Sequence, residues 1–170
     1  MTQEPLVYDG WLKVARRSVN GRTYDILLSP SAVAAWVTNG HGEILLVRQF
    51  RPAVLQETWE IPAGVLDKEG LGPKNVLREE LIEETGLNIS EDQMEEILSY
   101  VPQIGYNDSR LTIYRVRLMG SPELPPLHDD DVLEARWFTP EEVEGLIAKG
   151  TVMDEKTILA YYRHLGLASR

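Results

Sequence analysis

A helix with clear start and stop signals, lying between β-like segments, is the feature that most constrains the fold of this chain. Gly72 and Pro73 mark the start, because proline suits the first helical position, and Gly86 marks the end. The apolar side of the helix consists of Val76, Leu77 and Leu81. An amphipathic helix of this length requires a partner surface, and the segments around it predict that this surface is a sheet.

The segments on both sides of the helix have the composition of strands. Residues 14–28 are predicted to form a hairpin, because Asn20-Gly21 suits a type I′ turn with two positive φ angles. The other predicted strands are Ala32–Thr38, Glu43–Phe50, Thr58–Pro62, Met94–Tyr100, Leu111–Leu118 and Ala135–Phe138. A second helix is predicted to begin at Thr139-Pro140 and a third to run from Asp154 to Leu165. No repeat or linker divides the chain, so this order predicts one mixed α/β domain.

Composition excludes several classes of function. The chain has no cysteine, which excludes disulfides, thiolate metal sites and cysteine nucleophiles. Its net charge of −10 is unsuited to a phosphate backbone, so we expect no nucleic-acid partner. The first ten residues lack the pattern of a signal peptide, and no apolar run has the length of a membrane span. We therefore expect a cytoplasmic protein without a membrane partner.

The helix carries an unusual concentration of glutamates in the stretch REELIEETGL, Arg78–Leu87. Positions i, i+3 and i+4 share a face, so Glu80 and Glu84 lie one above the other with Glu83 beside them. Like charges at this spacing repel, and a cation from solution would relieve the repulsion. Ligands that offer only oxygen suit Mg²⁺ or Mn²⁺. The alternative is a solvated acidic surface that serves solubility alone.

Gly64, the loop that follows it and residues 78–87 together resemble the Nudix box, G-x5-E-x7-R-E-U-x-E-E-x-G-U, in which U is apolar. The resemblance extends to four further segments, which are similar to those of ADP-ribose pyrophosphatases and related nucleoside-diphosphate-sugar hydrolases. These segments are Val47–Arg51, Trp59–Gly64, Ser99–Tyr114 and Trp137–Glu142. The family implies an α/β/α sandwich with a mixed central sheet in a single domain, residues 1–170. Residues 31–170 would form the core and residues 1–30 a hairpin extension used in forming a homodimer.

The resemblance also implies a site and a reaction. Glu80 and Glu84 correspond to Mg²⁺ ligands, Glu83 to a ligand or an orienting carboxylate, and the carbonyl of Ala63 to a further ligand. Mn²⁺ is expected to substitute for Mg²⁺. These residues would promote attack of water on the diphosphate of ADP-ribose or a related nucleoside diphosphate sugar. The products would be a nucleoside monophosphate and a sugar phosphate.

Four residues are the implied substrate ligands: Arg48, Arg51, Glu60 and Gly105. Arg48 and Arg51 are three apart on one predicted strand, so their side chains should point to opposite faces. The resemblance favours Arg51 at the diphosphate. For each arginine the alternative is an ion pair with a surface acid.

The sequence that resembles the Nudix box is one residue longer than the pattern. Alignment on Glu83–Leu87 puts Glu79 at the arginine position and Leu71 at the first glutamate position, so one residue is extra between Gly64 and Leu81. It lies either in the loop, which we favour, or in the helix as a π-bulge. Arg78 would then compensate only in part for the missing arginine. The first glutamate of the box is either replaced by Glu69 or absent.

The sequence offers more than one candidate for the catalytic base. Ser109 falls where many ADP-ribose pyrophosphatases have a catalytic glutamate, and the neighbouring Asp108 is either the base or an Asx-turn residue. A second candidate is the later acidic run, Asp129–Asp131 with Glu134. The aromatic residues that could stack on a base are Tyr8, Trp11, Trp36 and Tyr106.

These departures leave two alternatives to hydrolysis of ADP-ribose. One is a catalytically weak domain that binds nucleotide sugars, which Glu79 and Ser109 would favour. The other is a Nudix hydrolase of a different nucleoside diphosphate derivative, such as a dinucleotide or GDP-mannose.

Overall fold

The fold was analysed in a computed structural model that describes residues 5–125 and 131–168, without the side chains of residues 167 and 168. Its strands are β1 Leu6–Asp9, β2 Lys13–Val19, β3 Arg22–Leu28, β4 Ala32–Thr38, β5 Ile44–Arg51, β6 Gln56–Glu60, β7 Ala63–Val65, β8 Glu95–Tyr100, β9 Leu111–Arg117 and β10 Val132–Phe138. Its α-helices are α1 Pro73–Thr85, α2 Pro140–Ala148 and α3 Glu155–Ala168, and a short 3-10 helix spans Glu91–Gln93. No helix within the described ranges is both long and apolar enough to cross a membrane.

The described strands form two sheets. The first is antiparallel and has the order β1-β2-β3. The second contains β10-β5-β4-β9-β8, with β6 paired to β5 and β7 paired to β4. It is mixed, because β4 and β9 run parallel while the other pairs are antiparallel. The mixed α/β prediction is therefore confirmed.

Helices cover both faces of the mixed sheet, and the buried residues of β4 alternate between these two faces. Val33, Ala35 and Val37 pack with the apolar side of α1. Ala34 and Trp36 pack on the other face, against α2 and α3. This is the α/β/α sandwich that the family resemblance implied.

The predicted hairpin is confirmed, with its turn at Asn20 and Gly21, whose φ angles are 51° and 76°. The structure adds β1, which the sequence analysis did not predict. It also divides the predicted strand Thr58–Pro62, because β6 ends at Glu60 and a separate strand, β7, begins at Ala63. Proline at position 62 has no N–H to donate to a ladder, which accounts for the break.

Helix α1 runs without interruption from Pro73 to Thr85 and contains no π-turn. The extra residue of the box therefore lies in the loop before the helix, as the sequence analysis favoured. Gly86 ends the helix with a left-handed φ of 72°. Glu79 consequently occupies the arginine position of the pattern.

Candidate active site

The end of strand β5 positions two polar side chains on one face of the sheet. Gln49 and Arg51 are two apart, so their side chains lie on the same face of the strand. The amide of Gln49 donates to Glu84 at 2.8 Å, and the guanidinium of Arg51 donates to Glu60. Arg48 lies on the opposite face, where it pairs with Glu57 and, at 3.1 Å, with Glu134. The prediction that Arg48 and Arg51 point to opposite faces is confirmed.

The glutamates of α1 occupy three different environments. Glu84 is buried, and its carboxylate accepts hydrogen bonds from Gln49 and from the backbone N–H of Ala63 at 3.1 Å. Glu80 lies against Gly64 so closely that a Cβ added to Gly64 would be 2.1 Å from the Cγ of Glu80. Glu83 is exposed to solvent. The helix therefore directs Glu80 and Glu84, rather than all three glutamates, towards β7.

A cleft of about 480 Å³ opens beside these two glutamates. Its lining includes Glu80 and Glu84 from α1, Arg51 from β5, Ala63 from β7 and Trp11 from the turn between β1 and β2. The cleft thus combines two carboxylates, one guanidinium and one large aromatic ring that is 95% exposed. Asp131, from the later acidic run, also lines it.

The donor set of this cleft fits a hard divalent cation. Within the described ranges, no three acidic or histidine side chains converge into a preformed metal cage. Mg²⁺ does not require one, because it is usually held by one or two carboxylates and keeps several waters and substrate phosphates in its shell. Two carboxylates facing an open cleft meet that requirement.

A lysine from the loop approaches the glutamates of α1. The Nζ of Lys68 is 2.9 Å from Oε2 of Glu79 and 3.9 Å from Oε1 of Glu80. The hydrogen bond that Lys68 donates to Glu79, reinforced by the charges of Glu83, Glu79 and Glu80, raises the pKa of Lys68 above its ordinary value. The residue at the arginine position is therefore an acid that is paired with a cation from outside the helix.

Arg51 and Glu60 belong to a network of charged groups that extends to α3. Nε and Nη2 of Arg51 donate to the two oxygens of Glu60 at 2.7 and 2.6 Å. Lys156 donates to Glu60 at 2.6 Å and lies 3.0 Å from Asp154. Burial alone would raise the pKa of Glu60, but the hydrogen bond from Arg51 and the charge of Lys156 outweigh it and hold this pKa below its ordinary value.

Two more cavities adjoin the cleft at Arg51. One, of about 340 Å³, is lined by Arg51, Pro102 and residues 154–156. The other, of about 540 Å³, is lined by Arg51, Glu60, Gln103 and the same three residues of α3 and its N-terminus. Arg51 thus contributes to the walls of all three cavities, and together they form a groove from Trp11 to the start of α3.

Other predicted site residues lie elsewhere. Asp108 is exposed and pairs with Arg17 of β2 at 3.3 Å. The Asx-turn next to it is formed by Asn107, whose side chain accepts from the backbone N–H of Ser109 at 2.9 Å. Gly105 is exposed in the same loop, and an added Cβ there would meet nothing within 4 Å. None of these residues lines the three cavities around Arg51.

The second group of candidate bases is divided by the structure. Asp131 lines the cleft with the glutamates of α1. Glu134 instead forms the ion pair with Arg48. Asp129 and Asp130 lie outside the described residues.

Of the candidate aromatic residues, Trp11 lines the cleft and Trp36 is fully buried in the core.

Sequence reasoning missed Gln49, Lys68, Asp154 and Lys156. Gln49 could have been found from its alternation with Arg51 on the strand. Nothing in the sequence pattern pointed to the other three.

The sequence comparisons agree with this geometry. A sequence profile described as NUDIX domain matches residues 28–161. The chain is 31% identical over 144 residues to a protein of Bacillus methanolicus named methanol dehydrogenase activator, an alignment that covers 83% of this chain and 76% of that protein. It is 31% identical over 137 residues to an ADP-ribose pyrophosphatase of Bacillus subtilis, covering 80% of this chain and 72% of that one.

A third relative is an ADP-ribose pyrophosphatase of Mycobacterium tuberculosis, 29% identical over 139 residues, with 80% of this chain and 65% of that protein aligned. The profile match extends over most of the chain and includes β4 to β10 with all of α1. The chain belongs to the NUDIX domain family of hydrolases, in the branch of the ADP-ribose pyrophosphatases, and carries a Nudix box with one extra loop residue.

Proposed function

We propose that this chain hydrolyses the diphosphate of ADP-ribose or of a related nucleoside diphosphate sugar in a Mg²⁺-dependent reaction, releasing a nucleoside monophosphate and a sugar phosphate. The observation that carries the proposal is the cleft that brings Glu80, Glu84 and Ala63 together with Arg51 and Trp11. A diphosphate needs both a metal platform and a cation, and this cleft offers ligands for both. The names of two relatives, which are ADP-ribose pyrophosphatases, support the same substrate class.

Glu80, Glu84 and the carbonyl of Ala63 would hold the magnesium ion. When bound, Mg²⁺ would neutralise phosphate oxygens and lower the pKa of a coordinated water, and Mn²⁺ is expected to substitute for it. The Ala63 N–H and the Gln49 amide fix the carboxylate of Glu84 by hydrogen bonds, so it meets the cation in a defined orientation. Glu83, on the exposed side of α1, would act as an outer carboxylate that attracts the cation.

Arg51 would bind the diphosphate oxygens, because a planar guanidinium offers several donors to phosphate at once. For the base we propose Asp131, which lines the cleft, ahead of Asp108, which pairs with Arg17 outside it. Its carboxylate would accept the proton of the attacking water. Arg48, held by Glu57 and Glu134 on the opposite face, would act only indirectly by fixing β5.

The arrangement of cavities favours a substrate with a bulky group on each side of its diphosphate. Arg51 lies between the Trp11 end of the groove and the polar end formed by Glu60 and residues 154–156. An aromatic ring is suited to stack on a base, whereas carboxylates accept hydrogen bonds from sugar hydroxyls. This supports a nucleoside diphosphate sugar or a dinucleotide over a nucleoside triphosphate.

A Mg²⁺-dependent substrate panel tests the proposal. It should include ADP-ribose, other nucleotide sugars such as GDP-mannose, dinucleotides and nucleoside triphosphates, with phosphate release read after treatment with a phosphatase. Glu84→Gln should lower hydrolysis by about 100-fold or more, since it removes the charge of a proposed metal ligand. Glu144→Gln, the same change on the exposed side of α2, is the matched control. Equal turnover by Glu84→Gln and wild type would refute the assigned site.

A second candidate is a regulatory role with little hydrolysis. It is favoured by 31% identity to the Bacillus methanolicus protein named methanol dehydrogenase activator, and by Glu79 at the arginine position of the box. Calorimetry that detects binding of ADP-ribose without turnover in the panel would support this candidate over the first.

We further infer that the chain forms a homodimer through its N-terminal sheet. The described residues of that sheet and its turn include several exposed apolar side chains: Leu6, Val7, Tyr8, Leu12 and Val19. Several large apolar side chains exposed on one small sheet support an interface between subunits.

A further inference from the structure

Helix α3 begins at the polar end of the groove and is fixed there by its first residues. The carboxylate of Asp154 accepts from the backbone N–H of Thr157 at 3.0 Å and from its hydroxyl at 2.6 Å. The same hydroxyl accepts from the backbone N–H of Ile61 at 2.8 Å. The backbone of Lys156, within this turn, is therefore held against the end of β6.

The side chain of Lys156 is buried, with 7% of its surface exposed, and it is enclosed by acids. Its ammonium lies 2.6 Å from Oε2 of Glu60 and 3.0 Å from Oδ1 of Asp154. A buried cation is tolerated only when it is paired and hydrogen-bonded, and these two contacts satisfy that condition. The position of Lys156 is thus determined by its neighbours and in turn restrains them.

Glu60 is the group that Lys156 shares with Arg51. One oxygen of its carboxylate accepts from Nε of Arg51, while the other accepts from both Nη2 of Arg51 and Nζ of Lys156. The Glu60 carboxylate therefore contacts two cations, and one of them, Lys156, is also paired with Asp154. Glu60 and Lys156 are almost fully buried, whereas the side chain of Arg51 is 46% exposed and faces the groove. Arg51 is consequently the member of this network that an anionic substrate can reach.

We propose that Lys156 is a positioning residue for Arg51: it fixes the plane of the Glu60 carboxylate, so that the Arg51 guanidinium stays oriented towards an anionic substrate. This inference rests on the proposed function, in which Arg51 binds the diphosphate. Without Lys156, the Glu60 carboxylate would lose the contact that fixes its plane from the side of α3, and Arg51 would lose the support that this carboxylate gives it. Binding of the diphosphate would then weaken through Arg51 rather than through a lost contact with Lys156 itself.

Kinetics with ADP-ribose and Mg²⁺ test the coupling. Lys156→Met is expected to raise KM by at least about tenfold with a smaller change in kcat, because the displaced group is one that binds substrate. In an Arg51→Met background, the same change should alter kcat/KM by less than about twofold, since Lys156 acts through Arg51. Lys149→Met, which removes an exposed lysine outside the network, is the matched control and should match the wild type. Independent, additive losses from Arg51→Met and Lys156→Met would overturn the proposal.

A second measurement does not depend on substrate or metal. In ¹⁵N NMR spectra, the Nε–H of Arg51, assigned by its absence in Arg51→Met, should exchange slowly with water in the wild type. Lys156→Met should accelerate that exchange by about tenfold or more, because the carboxylate that accepts this proton is no longer fixed. Unchanged exchange in a folded variant would refute the positioning role even if ADP-ribose is not the substrate. Should Lys156→Met fail to fold, Lys156→Gln keeps a donor to Glu60 without the charge and is judged by the same exchange rate.

Discussion

Replacing Gly64 by alanine tests how the carboxylate of Glu80, a proposed metal ligand, is held. Gly64 is buried in β7 opposite Val33, and its φ lies outside the left-handed region, so alanine is compatible with its backbone. The added Cβ, however, would lie 2.1 Å from Cγ, 2.4 Å from Cδ and 2.6 Å from Oε1 of Glu80. Because Cγ is the first atom beyond Cβ, small rotations at the end of the side chain cannot relieve this clash. Glu80 has to change its χ1 rotamer or the strand has to move.

The two ways of relieving the clash differ in their effect on stability. Moving a packed strand away would cost about 1–3 kcal/mol as overpacking. Rotating Glu80 would sacrifice its contact with Lys68, a 3.9 Å ion pair that contributes less than about 1 kcal/mol, and alanine returns about 0.4–1 kcal/mol by restricting the unfolded chain. Rotation is therefore the cheaper route. The free energy of unfolding should change by less than about 1 kcal/mol, or about 2–4 °C in Tm.

The effect on hydrolysis should be far larger than the effect on stability. A rotated Glu80 points its carboxylate away from the cleft, and misplacement of a catalytic group by about 1 Å can cost 100-fold. We expect Gly64→Ala to reduce Mg²⁺-dependent hydrolysis of ADP-ribose by about 100-fold while thermal unfolding shifts little. Gly145→Ala is the matched control, because an added Cβ there meets nothing within 4 Å.

A double-mutant cycle isolates the cause of this loss. In a Glu80→Ala background the clashing atoms are absent, so adding Gly64→Ala should leave activity unchanged and should not lower Tm. Near wild-type hydrolysis by Gly64→Ala alone would refute the reasoning, as would an equal loss in the Glu80→Ala background.

Three further predictions concern the cleft, the network around Glu60 and the proposed dimer interface. Trp11→Ala should weaken binding of ADP-ribose by about tenfold in calorimetry, because one stacking contact between the base and an aromatic ring is lost. Thermal melts should show no fall in Tm, since the ring is 95% exposed. An unchanged affinity would contradict the stacking role. Glu60→Gln should cost about 3–5 kcal/mol at pH 7 in urea unfolding. Because the folded pKa of Glu60 lies below the ordinary 4.5, its contribution is present above pH 4.5 and is lost as pH falls through the folded pKa, so the difference in stability between wild type and variant should narrow there. Sedimentation should give a dimer for the wild type and a monomer for Leu12→Glu, and a wild-type monomer would contradict the proposed interface.

The fold was predictable where its signals are local. The Asn20-Gly21 turn and the glycine and proline bounds of α1 depend on backbone geometry that few residues can adopt, so each was visible in a short stretch of sequence. Strand β1 was not, because its four residues are exposed and its pairing with β2 carries no buried pattern. The division between β6 and β7 was hidden for a similar reason, since a strand of three residues is too short to show alternation.

The site was predictable only in its helical part. Glu80 and Glu84 share a helix, so their proximity follows from spacing alone. The contact between Lys156 and Glu60 joins residues 96 apart in the chain, and neither local sequence predicts it. The same limit applies to the base, because the choice between Asp108 and Asp131 depends on how two loops fold back on the sheet.

The extra loop residue and the acid at the arginine position belong to one arrangement. The loop that carries the insertion also carries Lys68, whose ammonium pairs with Glu79 at 2.9 Å and approaches Glu80 at 3.9 Å. A cation therefore stands beside the carboxylates of α1 although the box arginine is absent. Restoring that arginine with Glu79→Arg would set two cations against each other and remove the partner of Lys68.

Glu79→Arg is thus expected to lower Mg²⁺ affinity by about two- to fivefold, the scale of one exposed ion pair, with no gain in hydrolysis. The charge exchange Lys68→Glu with Glu79→Arg keeps the net charge and the pair, so calorimetry with Mg²⁺ should return close to the wild-type affinity. If Glu79→Arg alone raised the affinity and the activity, Lys68 would not be acting as the counter-ion of this helix, and the box would simply lack its arginine.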